Sequence, residues 1–216
     1  GLHRSSRCAL AHYPKRALSD LLESLVTEGP ATPDQHTRDF FFRWAEEHLT
    51  TRAMASYVVD ISEMSTERVV FLDRALASRT DYLSAFSFIG LTEVLGSSLV
   101  AAFEPSFLFD DFSGDTTRHY GKGFGYTKVI PSALRSTDSL SLDSSRSELL
   151  ELVSSASTIV VGNYDANRDE VGGLLDAGID PSRIVCILGS DFPPDRSMLR
   201  EIKRSRMTFF VREFAS

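Results

Sequence analysis

Residues 157–189 read STIVVGNYDANRDEVGGLLDAGIDPSRIVCILG. Two short apolar runs, TIVVG and RIVCILG, flank NRDEVGGLLDAG, which reads as a helix that stops at Gly178. The turn signal IDPSR leads into the second run. Neither run alternates polar with apolar residues, so neither has a face left for water. Strands of that kind, separated by helices, belong to a parallel sheet covered on both sides.

The same texture extends outward in both directions. Short unpatterned strands are expected near 68–73 (RVVFLD), 98–103 (SLVAAF), 157–161, 183–188 and 207–211 (MTFFV). Between them, TDYLSAFSFIGLTEVL closed by Gly96, SSRSELLELVSSA and PDRSMLREIKRS read as helices. The expected fold class is α/β: a three-layer Rossmann-like domain over residues 67–216, with a mostly parallel sheet of about five strands. In such a domain the functional loops gather at the carboxyl ends of the strands. The polar stretch STDSLSLDSSRS (136–147) reads as a flexible link between two halves of the sheet.

Residues 1–66 have another character. Arg4, Arg7, Lys15 and Arg16 come before the first acid, Asp20, and make a basic arm. We read that arm as a solvated segment, with an organelle transit peptide as the alternative. ALSDLLESLVTE follows as an amphipathic helix with Leu18, Leu21, Leu22, Leu25 and Val26 on one face, stopped by Gly29 and Pro30. A second helix starts at the capping-box spacing Thr32-Pro33-Asp34-Gln35 and runs on through FFFRWAEEHLTTRAMASYVV. Phe40, Phe41, Trp44 and Leu49 suit a buried stripe on it. This extension is expected to cover the domain or to bind a partner.

Composition narrows the functions. A chain of 216 residues with 42% apolar and 25% charged content is ordinary for a globular protein with a sizeable core. A net charge of −7 argues against nucleic acid as the main partner. No run reaches the ~18 apolar residues of a membrane-spanning helix, and the expected location is cytoplasmic. Of the two cysteines, Cys186 lies within IVCIL as a small core residue and Cys8 lies in the basic arm, so no disulfide framework exists.

Residues 119–130, HYGKGFGYTKVI, carry Gly121, Gly123 and Gly125 at every second position, with Lys122 between the first two. The spacing is not Gly-x-Gly-x-x-Gly, and an extended segment follows where a dinucleotide or P-loop site needs a helix. What remains is a backbone able to approach closely, either to a ligand or to another strand. Asp110, Asp111 and Asp115 cluster just upstream with His119, in a spacing that matches no calcium loop; we assign no metal to them and no cofactor to the chain. At the strand ends, Asp73, then Asn163-Tyr164-Asp165, then Ser190-Asp191 would converge on one edge of a parallel sheet. Residues of these types also cap helices. No catalytic triad, Cys/His pair or zinc motif is present, and no catalytic residue is assigned.

Taken in order, LTEVLGSSLVAAFEPSFLFDD, RHYGKGFGYTKVI, TIVVGNY, IVCILGSDFPPD and MTFFVREF resemble the amino-terminal Rossmann-like half of poorly characterised glycosyltransferase-like proteins of the GT-B type. The matching residues are Tyr120, Gly121, Gly123 and Phe124, then Asp191, then Phe210, Arg212 and Glu213, within roughly residues 68–214. A GT-B enzyme closes its active site between two such lobes, so the resemblance implies a glycosyltransferase-like single lobe whose activity depends on a second. It implies a nucleotide sugar or another phosphorylated, hydroxyl-rich ligand. Asp73, Asn163, Asp165 and Asp191 would hold hydroxyls, and Lys122 with the Gly121 and Gly123 amides would face a phosphate. The alternative is a non-catalytic scaffold or subunit whose helix bearing Phe40, Phe41, Phe42 and Trp44 binds a protein partner or a second copy.

Overall fold

The computed structural model describes residues 35–119, 126–188 and 196–211. Within them, helices α1 (Gln35–His48) and α2 (Thr51–Ser62) lead into strand β1 (Val69–Leu72). Then come α3 (Tyr82–Leu95), β2 (Leu99–Ala101), α4 (Arg146–Ser154), β3 (Thr158–Val161), α5 (Arg168–Asp176), β4 (Ile184–Leu188), α6 (Arg196–Arg204) and β5 (Thr208–Val211). All five strands are parallel, in the order β2-β1-β3-β4-β5. The fold is a three-layer Rossmann-like α/β domain, and each of the five strands lies where its apolar run predicts.

Because side chains alternate across a strand, each unpatterned run feeds two cores at once. Val70, Leu72, Ile159, Val161, Cys186 and Phe209 face one layer, where they meet Leu149 and Val153 of α4, Val171 and Leu174 of α5, and Ile202 of α6. Val69, Phe71, Val160, Val185 and Ile187 face the other, against Ala55 and Val58 of α2 and Ala85, Phe88 and Leu91 of α3. The crossover from β1 to β2 runs one way along the sheet under α3. Those from β3 to β4 and β4 to β5 run the other way under α5 and α6. Opposite directions on opposite faces give every crossover the same hand.

Caps set the helix limits. Asp81 accepts from the backbone N–H groups of Leu83 and Ser84 at 3.1 Å each, and Gly96 ends α3 with φ 55°. Ser145 and Glu148 close a reciprocal capping box on α4. The run FFFRWAEEHLTTRAMASYVV makes two helices rather than one. Thr50 adopts extended backbone and its hydroxyl accepts from Ala53 N at 3.1 Å, which starts α2 afresh. The expected buried stripe on α1 divides as well: Phe41 and Trp44 are half-buried, whereas Phe40 and Leu49 are exposed.

The Ser-rich link is held down rather than loose. Leu140 N donates to Ala102 O at 2.8 Å, extending the sheet edge beside β2. Arg68 pairs with Asp138 at 2.8 Å, and Arg74 donates to Leu142 O while its guanidinium lies over the Phe103 ring. Composition shows the polarity of such a stretch but not these partners, of which Arg68 and Arg74 flank β1 about seventy residues upstream.

Helix α2 packs tightly on α3. A Cβ at Gly90 would stand 2.1 Å from the carbonyl oxygen of Thr51, a backbone atom that cannot swing away. Gly90→Ala should therefore force the two helices apart and lower the unfolding free energy by about 1–3 kcal/mol, read from urea denaturation. A stability within about 0.5 kcal/mol of wild type would mean the two helices are not in close contact in solution.

Candidate functional site

β1 and β3 are sheet neighbours, yet the chain leaves them toward opposite faces, β1 into α3 and β3 into α5. The loops that follow, 73–81 and 162–167, start toward opposite faces and are bonded to each other across the carboxyl ends of the two strands, and the polar surface where they meet is the candidate crevice. Doubly wound domains bind ligands at this kind of reversal.

Asp73, the residue after β1, is only 1% exposed. One carboxylate oxygen accepts from the Ser84 hydroxyl of α3. The other accepts from Leu76 N at 3.1 Å and from Asn167 Nδ2 at 3.0 Å. Burial holds its carboxyl above the ordinary range, although the three donors pull it back. Asn167, also buried, accepts from Arg74 N at 3.0 Å and donates to Asn163 O at 2.7 Å. Gly162 makes room for this network, since a Cβ there would fall 2.3 Å from the Ser84 hydroxyl and 2.4 Å from the Phe71 ring. Asp73 thus clamps the floor of the crevice, with its oxygens already occupied.

At the mouth, half-buried Asn163 donates from Nδ2 to Asp81 Oδ2 at 2.5 Å, joining the β3–α5 loop to the N-terminus of α3. Asn163 Oδ1 accepts from Ala166 N at 3.2 Å. Asp165 is exposed and lies 3.6 Å from Arg168. Gly121, Lys122, Gly123 and Asp191 lie outside the described residues, as do Tyr120, Phe124, Arg212 and Glu213.

Both described flanks of the glycine segment reach this crevice. His119 stacks on Phe107 with ring centroids 4.1 Å apart, and its Nδ1 lies 3.5 Å from the Thr80 hydroxyl. Tyr126 packs edge-on to Phe86 of α3 at 4.9 Å. Burial, and after it the nearby Asp81 and Tyr82, raise the Tyr126 phenol above its ordinary range. Asp81, Tyr82 and Tyr126 are therefore mouth residues that strand-end reasoning did not single out. The cap signal of an aspartate opening the helix YLSAFSFIGLTEVL locates Asp81; its bond to Asn163, 82 residues away, has no local signature.

Among the described residues the electrostatics favour hydroxyls over phosphate at this mouth. The first amides of α3 are taken by Asp81, and the first turn of α5 carries Asp169 and Glu170. Arg74 and Arg168 are held by Glu170 and by Asp165 with Glu201. Arg79 is the exposed cation of the β1–α3 loop. The upstream acids have separate partners: Asp110 accepts from Ser132 N at 2.9 Å, Asp111 pairs with Arg135, and Asp115 accepts from Thr117. Among the described residues, no three metal-ligating side chains gather into a metal site, and no helix is long and apolar enough to cross a membrane.

The fold and crevice define a doubly wound α/β domain with a polar mouth at its strand-order reversal. No protein-family model, curated protein or solved structure matches the chain.

Asp73 makes stability depend on pH. Between the ordinary carboxylate pKa and its own raised one, the folded chain keeps a proton that the unfolded chain has released, so stability falls as pH rises through that window. Asp73→Asn removes the titrating group. Its stability relative to wild type should increase as pH rises above the ordinary carboxylate value of about 4, measured by denaturant unfolding at a series of pH values. A difference that stays constant would show that the buried carboxyl does not titrate there.

Proposed function

We propose that the β1/β3 crevice binds a nucleotide sugar or another phosphorylated, hydroxyl-rich small molecule, as one lobe of a glycosyltransferase-like protein. The observation that carries this reading is the Asp81–Asn163 pair, half-buried across the mouth where the strand order reverses. The Asn163 amide has a second N–H, and the Asp81 carboxylate has further lone pairs. Together they offer a donor and acceptors side by side, the set that vicinal hydroxyls require. Tyr82 and Tyr126 add aromatic surface beside them. A phosphate would be met by Lys122 and the Gly121 and Gly123 amides, whose described flanks end at this mouth, and by Arg79. Asp165 and Asp191 are further hydroxyl contacts on the same reading. These residues are assigned recognition rather than bond breaking.

Isothermal calorimetry against a panel of nucleotide sugars tests the reading. At least one should bind, and Asn163→Ala, shown to be folded by circular dichroism, should weaken it by roughly tenfold. Silence across the whole panel would overturn the assignment.

A second reading rests on a separate observation. α1 leaves Phe42 70% exposed and Phe40 43% exposed, and large aromatics at a surface are what interfaces are enriched in. On this reading α1 pairs with a second copy of the chain. Sedimentation velocity should then show a concentration-dependent dimer that Phe42→Ser dissociates. A monomer at every concentration would remove the second copy as the partner.

A further inference from the structure

We infer that the ligand of the crevice carries an apolar tail, which lies in a groove leading from the crevice along α2 and α3. The inference rests on the crevice reading above and deepens it, from a hydroxyl-rich head to an amphiphile.

The groove has a volume of about 800 Å³ and runs between the C-terminal end of α1, α2, α3 and the ends of β4 and β5. Met54, Tyr57, Leu91, Ile187, Phe210 and Val211 form much of its wall. That volume lies within the roughly 300–1,000 Å³ of small-molecule sites. The Ser87 hydroxyl inside it is turned back to Leu83 O at 2.8 Å, so it makes its bond within its own helix.

Continuity with the crevice decides the class of ligand. Leu83 lines the groove, and its N–H is one of the two that Asp81 caps. Phe86 lines the groove and packs on Tyr126 at the crevice mouth. Ile187 lines the groove, and its carbonyl accepts from Tyr164 N at 2.9 Å, the residue next to Asn163. Three residues thus belong to the edge of both, and a molecule with its head on Asp81 and Asn163 meets apolar wall on leaving. A helix from a partner protein would use the trough without needing the Asp81–Asn163 pair. The shared edge instead joins a hydroxylated head to an acyl or isoprenoid chain.

Trp44 lines the groove and is the chain's single tryptophan, so its fluorescence reports occupancy directly. Decyl glucoside, glucose, a decyl sulfobetaine and a panel of nucleotide sugars would each be titrated into the full chain, the detergents below their micellar concentrations. Decyl glucoside should bind at least about tenfold tighter than either glucose or the sulfobetaine. Ser87→Phe, which narrows the trough, should reduce it to the level of glucose, and Asn163→Ala to the level of the sulfobetaine. If Ser87→Phe does not fold by circular dichroism, Met54→Glu at the exposed rim replaces it with the same expectation. Equal binding of the two detergents would overturn the inference by making the groove indifferent to the head. Nucleotide-sugar binding with no gain from an alkyl tail would overturn it while leaving the crevice reading in place; binding by nothing tested would sink both. Displacement of the Trp44 signal by an amphipathic helical peptide but not by the glucoside would give the groove to a protein partner and overturn it too.

Discussion

The carboxylate of Asp73 is the tie on which the carboxyl edge of the sheet depends. It ends β1 and holds Ser84 of α3 with one oxygen and Asn167, at the start of α5, with the other. Those two helices lie on opposite faces of the sheet and leave it in opposite directions. A parallel sheet reverses its strand order where the crossovers leaving two neighbouring strands diverge, here α3 after β1 and α5 after β3. Divergence opens a gap that water would enter unless something polar spans its floor. A buried acid with three donors does that, at a desolvation cost visible in its raised pKa. Because the floor is closed in this way, Asp81 and Asn163 can meet above it and form a mouth.

The same reversal places the apolar groove. The layer formed by α4, α5 and α6 has three helices, whereas among the described residues the opposite layer has α2 and α3. Close contact at Gly90 pulls α2 toward α3, and at the end of β5 beneath it Phe210 stays only half-buried. Helix economy on one face thus produces a trough. The position of α3, whose N-terminus reaches the crevice and whose first turns line the trough, joins the two.

Parts of the site were legible in the residues alone. Asp73 and Asn163 follow unpatterned apolar runs, and a parallel sheet carries such residues to one edge wherever they lie in the chain. Their roles were not legible. Asp73 reads as a contact for a ligand hydroxyl, but the fold supplies it with three internal donors and 1% exposure. Asp81, not singled out in the sequence, caps α3 with one oxygen while its second crosses to Asn163. The Ser-rich link shows the same gap, because its anchors Arg68 and Arg74 lie about seventy residues upstream.

By itself the sequence determined the fold class, the number and place of the strands, and most helix limits. These depend on short-range periodicity and on capping residues whose effect is felt within one turn. Only the tertiary structure decided the strand order, the break between α1 and α2, and which face each helix covers. It also decided which polar residues at the strand ends are sealed and which look out. Those outcomes depend on contacts between residues tens of positions apart, chosen by packing and desolvation, and a linear pattern carries no record of which distant partner will satisfy a given group.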